Sequence, residues 1–302
     1  MLSKLIPAGL LAACAWANVI NDVRDAAEQN NFALGDSIIQ NYRSRQGVTP
    51  EMIVALSWMG RGALGAKQLD KAESYAKETE SLSLEQLKKR PLDQEPYLPL
   101  ALGAAIEVQA QVLSQRGERG AAVAYLRAEL TKYRTTSIRT RIQKNINLLS
   151  LEGKAAPALD EREFLGASPT PLASLKGKPV MLFFWAHWCG DCKQESPILA
   201  EIRKEYAAKG LVVVAPTQRY GYVARGEDAA PADETRYIDE VRHKFYPDLL
   251  NVPAPISEEN FKNYGASTTP TLVLIDRQGI VRLYHPGAMT LDELRAALNR
   301  LG

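Results

Sequence analysis

Two cysteines three positions apart, Cys189 and Cys192, lie in the run Val180-Met181-Leu182-Phe183-Phe184-Trp185-Ala186-His187-Trp188-Cys189-Gly190-Asp191-Cys192-Lys193. Residues i and i+3 share one face of a helix, so if a helix begins at Cys189 the two sulfurs can meet. Such a dithiol can carry two electrons. One thiolate attacks a disulfide, and the second, one turn further on, resolves the mixed disulfide. Cys189 would be the attacking sulfur, because a helix N-terminus offers unpaired N–H groups and a dipole that stabilise its thiolate. The competing chemistry is half of a zinc site. Tetrahedral zinc needs two more ligands, and His187, His243, His285 and Cys14 fall at no recognisable spacing. The pattern therefore favours redox over metal.

The elements that would position this pair can be read on both sides of it. The six-residue apolar run Val180 to Trp185 reads as a buried strand, and a helix is expected from Cys189 to Lys209, kinked at Pro197. Further strands are expected at 211–216, 271–276 and 280–284, with helices at 234–246, 257–264 and 290–301 and a short extended segment around 158–165. Arg277-Gln278-Gly279 turns between the last two strands. This order predicts an α/β sheet covered by helices on both faces.

Gly177-Lys178-Pro179, Phe184-Trp185-Ala186, Trp188-Cys189, Cys192, Lys193-Gln194-Glu195-Ser196-Pro197 and Thr268-Thr269-Pro270-Thr271 together resemble the thioredoxin superfamily. The pattern is closest to the exported TlpA/ResA-like thiol-disulfide oxidoreductases, over about residues 155–302. The resemblance implies a thioredoxin-like domain with a central mixed sheet, a redox-active Cys189–Cys192 disulfide and no bound cofactor. It implies a cis Thr269–Pro270 bond facing the cysteines, whose neighbouring backbone pairs with the substrate chain as an added strand. Trp188 and Trp185 would pack beside and beneath the site.

Three residues modulate that expectation. Glu195 shares a helix face with Cys192, and in the ResA-like group a glutamate at this place is linked to proton handling. It could take the Cys192 proton, or simply be a surface glutamate paired with a base. Phe183 stands where thioredoxin itself carries a buried aspartate. Asp191 replaces the proline common before the second cysteine. A carboxylate there disfavours a second negative charge, which points to the reducing end of the family's range. His187, if protonated, would act in the opposite sense; otherwise it reads as a loop residue without a role. Tyr220, Tyr222 and Ala229-Ala230-Pro231 lie in a loop longer than thioredoxin's, read as ordinary surface or as a segment that shapes substrate contacts.

The other half of the 302-residue chain is different in character. Residues 18–152 alternate helical patterns with short breaks, giving three helix pairs and a closing helix at 137–151. Thr49 with Pro50 marks one start. Gly35, Ala72 and Ala122 recur shortly after turns, and Gly60 precedes Ala72 by twelve positions, a spacing that resembles the tetratricopeptide repeat. The expected organisation is thus an all-α helical-hairpin domain over 18–152 before an α/β domain over 153–302, with Gly153-Lys154-Ala155-Ala156-Pro157 as the boundary. The helical part would bind a protein partner or pack on itself.

Residues 1–17 read as an export signal: Lys4, an apolar run from Leu5 to Ala13, and small residues after it. Ala15-Trp16-Ala17 offers one cleavage site. Leu11-Ala12-Ala13-Cys14 instead resembles a lipobox, which would give a lipid anchor at Cys14. Either reading places the chain outside the cytoplasm, in a bacterial periplasm or cell envelope. The net charge of +2 excludes the charge excess of a nucleic-acid binder, and three cysteines are too few for a disulfide-stapled scaffold. The implied partners are protein thiols and disulfides and an upstream electron donor. Two further readings stay open. One is an assembly factor whose helical part does the work beside an incidental dithiol. The other is a thiol peroxidase, although no Pro-x-x-x-Thr-x-x-Cys loop is present.

Overall fold

The computed structural model describes residues 18–301. The export signal and lipobox expected at 1–17 lie outside the described residues. Packing divides the chain into two compact units, with the division between Arg116 and Gly117.

The first unit is helical: α1 (Val19–Glu28), α2 (Phe32–Gln46), α3 (Pro50–Gly65), α4 (Leu69–Leu87) and α5 (Leu98–Gln115). Helix α3 starts as its sequence demands. The Thr49 hydroxyl accepts from the Met52 amide, and Pro50 occupies the first helical position, where its missing N–H costs nothing. Met52, Ile53, Ala55, Leu56 and Met59 bury α3 almost all round, and it packs against α1, α2, α4 and α5. Small residues let these neighbours approach. A Cβ on Gly60 would sit 3.6 Å from the Ala76 amide nitrogen and 3.7 Å from the Ala72 carbonyl, so α3 and α4 touch where the Gly60/Ala72 spacing placed small residues. No described helix is long and apolar enough to cross a membrane.

The second unit holds α6 (Arg119–Lys132), α7 (Arg139–Ser150), β1 (Phe164–Leu165), β2 (Val180–Phe184), α8 (Gly190–Glu205), β3 (Val212–Val214), α9 (Pro231–Phe245), β4 (Ala254–Pro255), α10 (Glu258–Tyr264), β5 (Thr271–Ile275), β6 (Val281–Pro286) and α11 (Leu291–Asn299). The main sheet has the order β3-β2-β5-β6. β2 and β3 are parallel, while β2/β5 and β5/β6 are antiparallel, so the sheet is mixed. β1 and β4 form a separate antiparallel pair.

Every residue of β2 is buried because helices cover both faces. Its alternation divides the core. Met181 and Phe183 face one way, with Leu272 and Leu274 of β5, toward Leu199 and Ile202 of α8, Ile238 of α9 and Leu294 of α11. Val180, Leu182 and Phe184 face the other way with Phe261 and Tyr264 of α10. The Phe184 ring meets that of Phe261 edge-on at 5.3 Å.

Residues 119–150 are grouped with the α/β domain, whereas the sequence pattern placed its boundary at 152/153. Helix α7 packs directly on α10. Gly265, in the left-handed conformation at φ +62°, lies so close to α7 that a Cβ would overlap the Lys144 backbone. Leu151 joins the α10 side of the core, and the Glu152 carboxylate accepts the Tyr284 amide. The turn chemistry at Gly153 is real, with φ +81°, but it is a turn inside a packed unit.

Candidate functional site

The carboxyl end of β2 delivers the chain to the N-terminus of α8, and the two cysteines sit at that junction. Cys189 is the N-cap residue in extended conformation, and its sulfur accepts the Cys192 amide at 3.1 Å. The sulfurs are bonded at 2.14 Å with Cα atoms 5.3 Å apart, so the pair is in its disulfide form. Cys189 is only 3% exposed and Cys192 is enclosed. The helix begins one residue later than expected and runs unbroken past Pro197 to Glu205.

The Thr269–Pro270 bond is cis, and the Thr269 carbonyl oxygen lies 3.4 Å from the Cys189 sulfur. Pro270 leads into β5, and its carbonyl accepts the Gly287 amide, which fixes the turn. The two segments that the sequence separates by eighty residues therefore meet at the outer sulfur.

Glu195 lies one turn beyond Cys192 on α8, on the same face. It is not a surface glutamate: only 2% of it is exposed. Its Oε1 accepts the Met289 amide at 2.9 Å, while Oε2 is buried without a hydrogen-bond partner. Burial pushes its carboxyl up to about 7, opposed by the Met289 hydrogen bond and aided by the Asp191 charge. Tyr246, whose hydroxyl is also buried and unpartnered, packs its ring at a 50° tilt 4.9 Å from that of Trp185 and is pushed up by burial and by the Glu195 charge. Phe183 fills the position of thioredoxin's aspartate with a ring, 6.5 Å from Tyr246. Glu195 is thus the one acid on the inner side of the dithiol that the sequence pointed to.

The remaining expectations divide. Trp185 is buried beneath the site, with its indole N–H donating to the Ala215 carbonyl at 3.0 Å. Trp188 is half exposed, at 48%, beside Cys189. Asp191 is exposed, so water screens its charge, although that charge still reaches the buried Glu195 carboxyl. His187 is not an exposed loop residue. It is 1% exposed, and its Nε2 lies 3.3 Å from Glu234 Oε1. Burial pushes the imidazole down, and this outweighs the opposing Glu234 charge. Glu234, Tyr246 and Met289 were not singled out by sequence. Each meets the site only through tertiary packing, and a glutamate in the first turn of α9 resembles any residue favoured by the helix dipole. Among the described residues no three His, Cys, Asp or Glu side chains form a metal-ligand group.

Comparison with known proteins agrees with this geometry. The thioredoxin-like domain family matches residues 170–302. The thioredoxin-like protein YneN of Bacillus subtilis is 30% identical over 148 residues, covering 49% of this chain and 79% of that protein. The thiol-disulfide oxidoreductase ResA of Oceanobacillus iheyensis is 31% identical over 159 residues, covering 52% of this chain and 76% of its own length. Among solved structures, the exposed lipoprotein thioredoxin Etrx1 of Streptococcus pneumoniae is 28% identical, with 46% of this chain and 98% of that one covered at a TM-score of 0.37. The identity shared with YneN and ResA over three quarters or more of their length carries the conclusion that this chain is a member of the thioredoxin-like thiol-disulfide oxidoreductases.

Proposed function

We propose that this protein reduces disulfides in other proteins outside the cytoplasm, with Cys189 as nucleophile and Cys192 as resolving thiol. The observation that carries the reading is the capped outer sulfur of Cys189, 3.4 Å from the Thr269 carbonyl, with Cys192 enclosed behind it.

In the reduced protein the Cys189 thiolate keeps the Cys192 amide and the α8 dipole as its stabilisers. It attacks one sulfur of a substrate disulfide, forming a Cys189–substrate bond and releasing the other substrate sulfur as a thiolate. The substrate backbone lies along Thr269 and Pro270, where it can pair as an added strand. Cys192 then loses its proton to the Glu195 carboxylate and attacks the Cys189 sulfur. The Cys189–Cys192 disulfide forms and the second substrate thiolate leaves. Two electrons have passed from the dithiol to the substrate. The disulfide form seen here is the state that follows, and a thiol-bearing electron donor returns it to the dithiol. No further cofactor enters these steps.

The export signal at 1–17, with its cleavage after Ala17 or lipidation at Cys14, supports placement in the periplasm or cell envelope. The helical hairpins of the first unit supply a surface for a protein partner, with close helix approaches at Gly35, Gly60 and Gly62 that keep it rigid.

A redox titration of the Cys189–Cys192 pair tests the direction. A reductant's midpoint lies near that of thioredoxin, about −270 mV, and an oxidant's near about −120 mV. A value below about −230 mV is expected, and one near the oxidant end would overturn the reducing assignment.

A further inference from the structure

The loop between β3 and α9 is folded rather than loose. Tyr222 pairs with Asp228 across an antiparallel bridge, the Val223 amide donates to the Glu227 carbonyl, and the Ala229 amide donates to the Gly221 carbonyl. Its base is tied from below. Both oxygens of the buried Glu234 carboxylate receive backbone donors, the Tyr220 amide at 2.5 Å and the Gly221 amide at 2.8 Å. Gly221 can present its amide this way because it sits at φ +85°. Arg219 adds an ion pair to Glu163 and a hydrogen bond to Thr235.

The same carboxylate reaches the dithiol segment. Glu234 Oε1 is shared with His187 Nε2, two residues before Cys189, and the imidazole is met edge-on by the rings of Tyr220, Tyr222 and Tyr237 at 5.3–5.7 Å. Tyr220 in turn meets Trp188 edge-on at 5.4 Å. Trp188 therefore has one neighbour fixed by the loop and nearly half its surface free, directly beside the attacking cysteine.

We propose that His187 and Glu234 are positioning residues that pin the 218–230 loop so that Tyr220 holds Trp188 as a recognition wall for an apolar or aromatic side chain flanking the substrate's disulfide. The inference rests on the reading of Cys189 as the residue that attacks substrate. Its chemistry is simple. A buried carboxylate with three donors aimed at it, one from each of Tyr220, Gly221 and His187, has one geometry in which all are satisfied. A fixed aromatic edge costs less ordering entropy on binding than a mobile one.

The test compares two peptide disulfides, one with phenylalanine and one with glycine next to each cysteine. An aromatic contact of this kind is worth about tenfold in affinity, so the protein should prefer the phenylalanine peptide by about that factor in kcat/KM, expressed in KM. In Glu234→Gln an amide N–H₂ must face a backbone N–H or the imidazole. Amide hydrogen exchange at Tyr220 and Gly221 should then accelerate, and the phenylalanine-to-glycine ratio should fall at least about fivefold. Tyr220→Leu keeps the carboxylate and its backbone donors, so it should lower the ratio without accelerating that exchange, and it decides the matter if Glu234→Gln does not fold. A ratio near one in the unmodified protein, or one unchanged in Tyr220→Leu, overturns the inference. Failure to reduce either peptide would instead count against Cys189 as the attacking residue.

Discussion

At the residue scale, what sets this dithiol apart is the acid behind it. Glu195 carries a carboxyl raised to about 7 by burial, which fits the proton-accepting role proposed for it beside Cys192. The same burial has a cost. The folded state binds a proton more tightly than the unfolded chain, whose glutamate titrates near 4.5. Stability therefore falls as pH rises from about 4.5 to 7 and is level above that, and the full loss is roughly 3 kcal/mol. Glu195→Gln cannot titrate. Urea denaturation across pH 4.5–8 should show the wild-type protein losing that amount relative to the variant, and parallel curves would refute the assignment. Cys189 and Cys192 were legible from their spacing along one helix, whereas the cis Pro270 and a proton-handling Glu195 were implied only by the family resemblance. The His187–Glu234 pair was legible in neither way. Its members are 47 residues apart, and each alone reads as a loop histidine or a helix-start glutamate.

At the element scale, β2 and β5 were legible because they read as apolar runs, whereas the two-residue β4, also buried, carries no such run and was not expected. Helix starts were read less well. Helix α9 begins at Pro231, three residues before the expected Glu234, since a proline at the first helical position extends the helix over polar residues that lack apolar periodicity. The contact of α10 with α7 could not be read at all, because it depends on how closely two helices approach. Gly265 closes α10 at φ +62° with no room for a side chain above the Lys144 backbone. Gly265→Ala combines left-handed strain with overpacking, and we expect a loss of about 2–4 kcal/mol in chemical denaturation. A loss below about 0.5 kcal/mol would show that α7 is free to move away.

At the scale of the whole molecule, the chain joins a helical unit to a larger unit that contains the chemistry. The composition shift at residues 153–157 marked a boundary, but a small-residue turn is compatible with either a linker or a tight corner inside a domain. Hydrogen bonds decide between them here: the Gly153 amide donates to the Val281 carbonyl and the Val281 amide to the Lys154 carbonyl. Helix α7 also contributes the Arg139–Glu259 ion pair. Two truncations test this division by thermal denaturation. A chain starting at Gly117 should keep the melting temperature of the second unit. One starting at Gly153 loses α7 and Leu151 and should melt at least about 5 °C lower, as expected for a loss of about 2 kcal/mol or more in a domain of this size. Equal melting temperatures would place the functional boundary at 152/153 instead.

The roles of the two sulfurs are tested most directly by trapping. Cys192→Ser should accumulate a covalent adduct with a peptide disulfide, joined through Cys189 and released by dithiothreitol, because attack proceeds and resolution cannot. Cys189→Ser should form none, since the remaining sulfur is enclosed. Adduct formation through Cys192 in Cys189→Ser, with none in Cys192→Ser, would contradict the account.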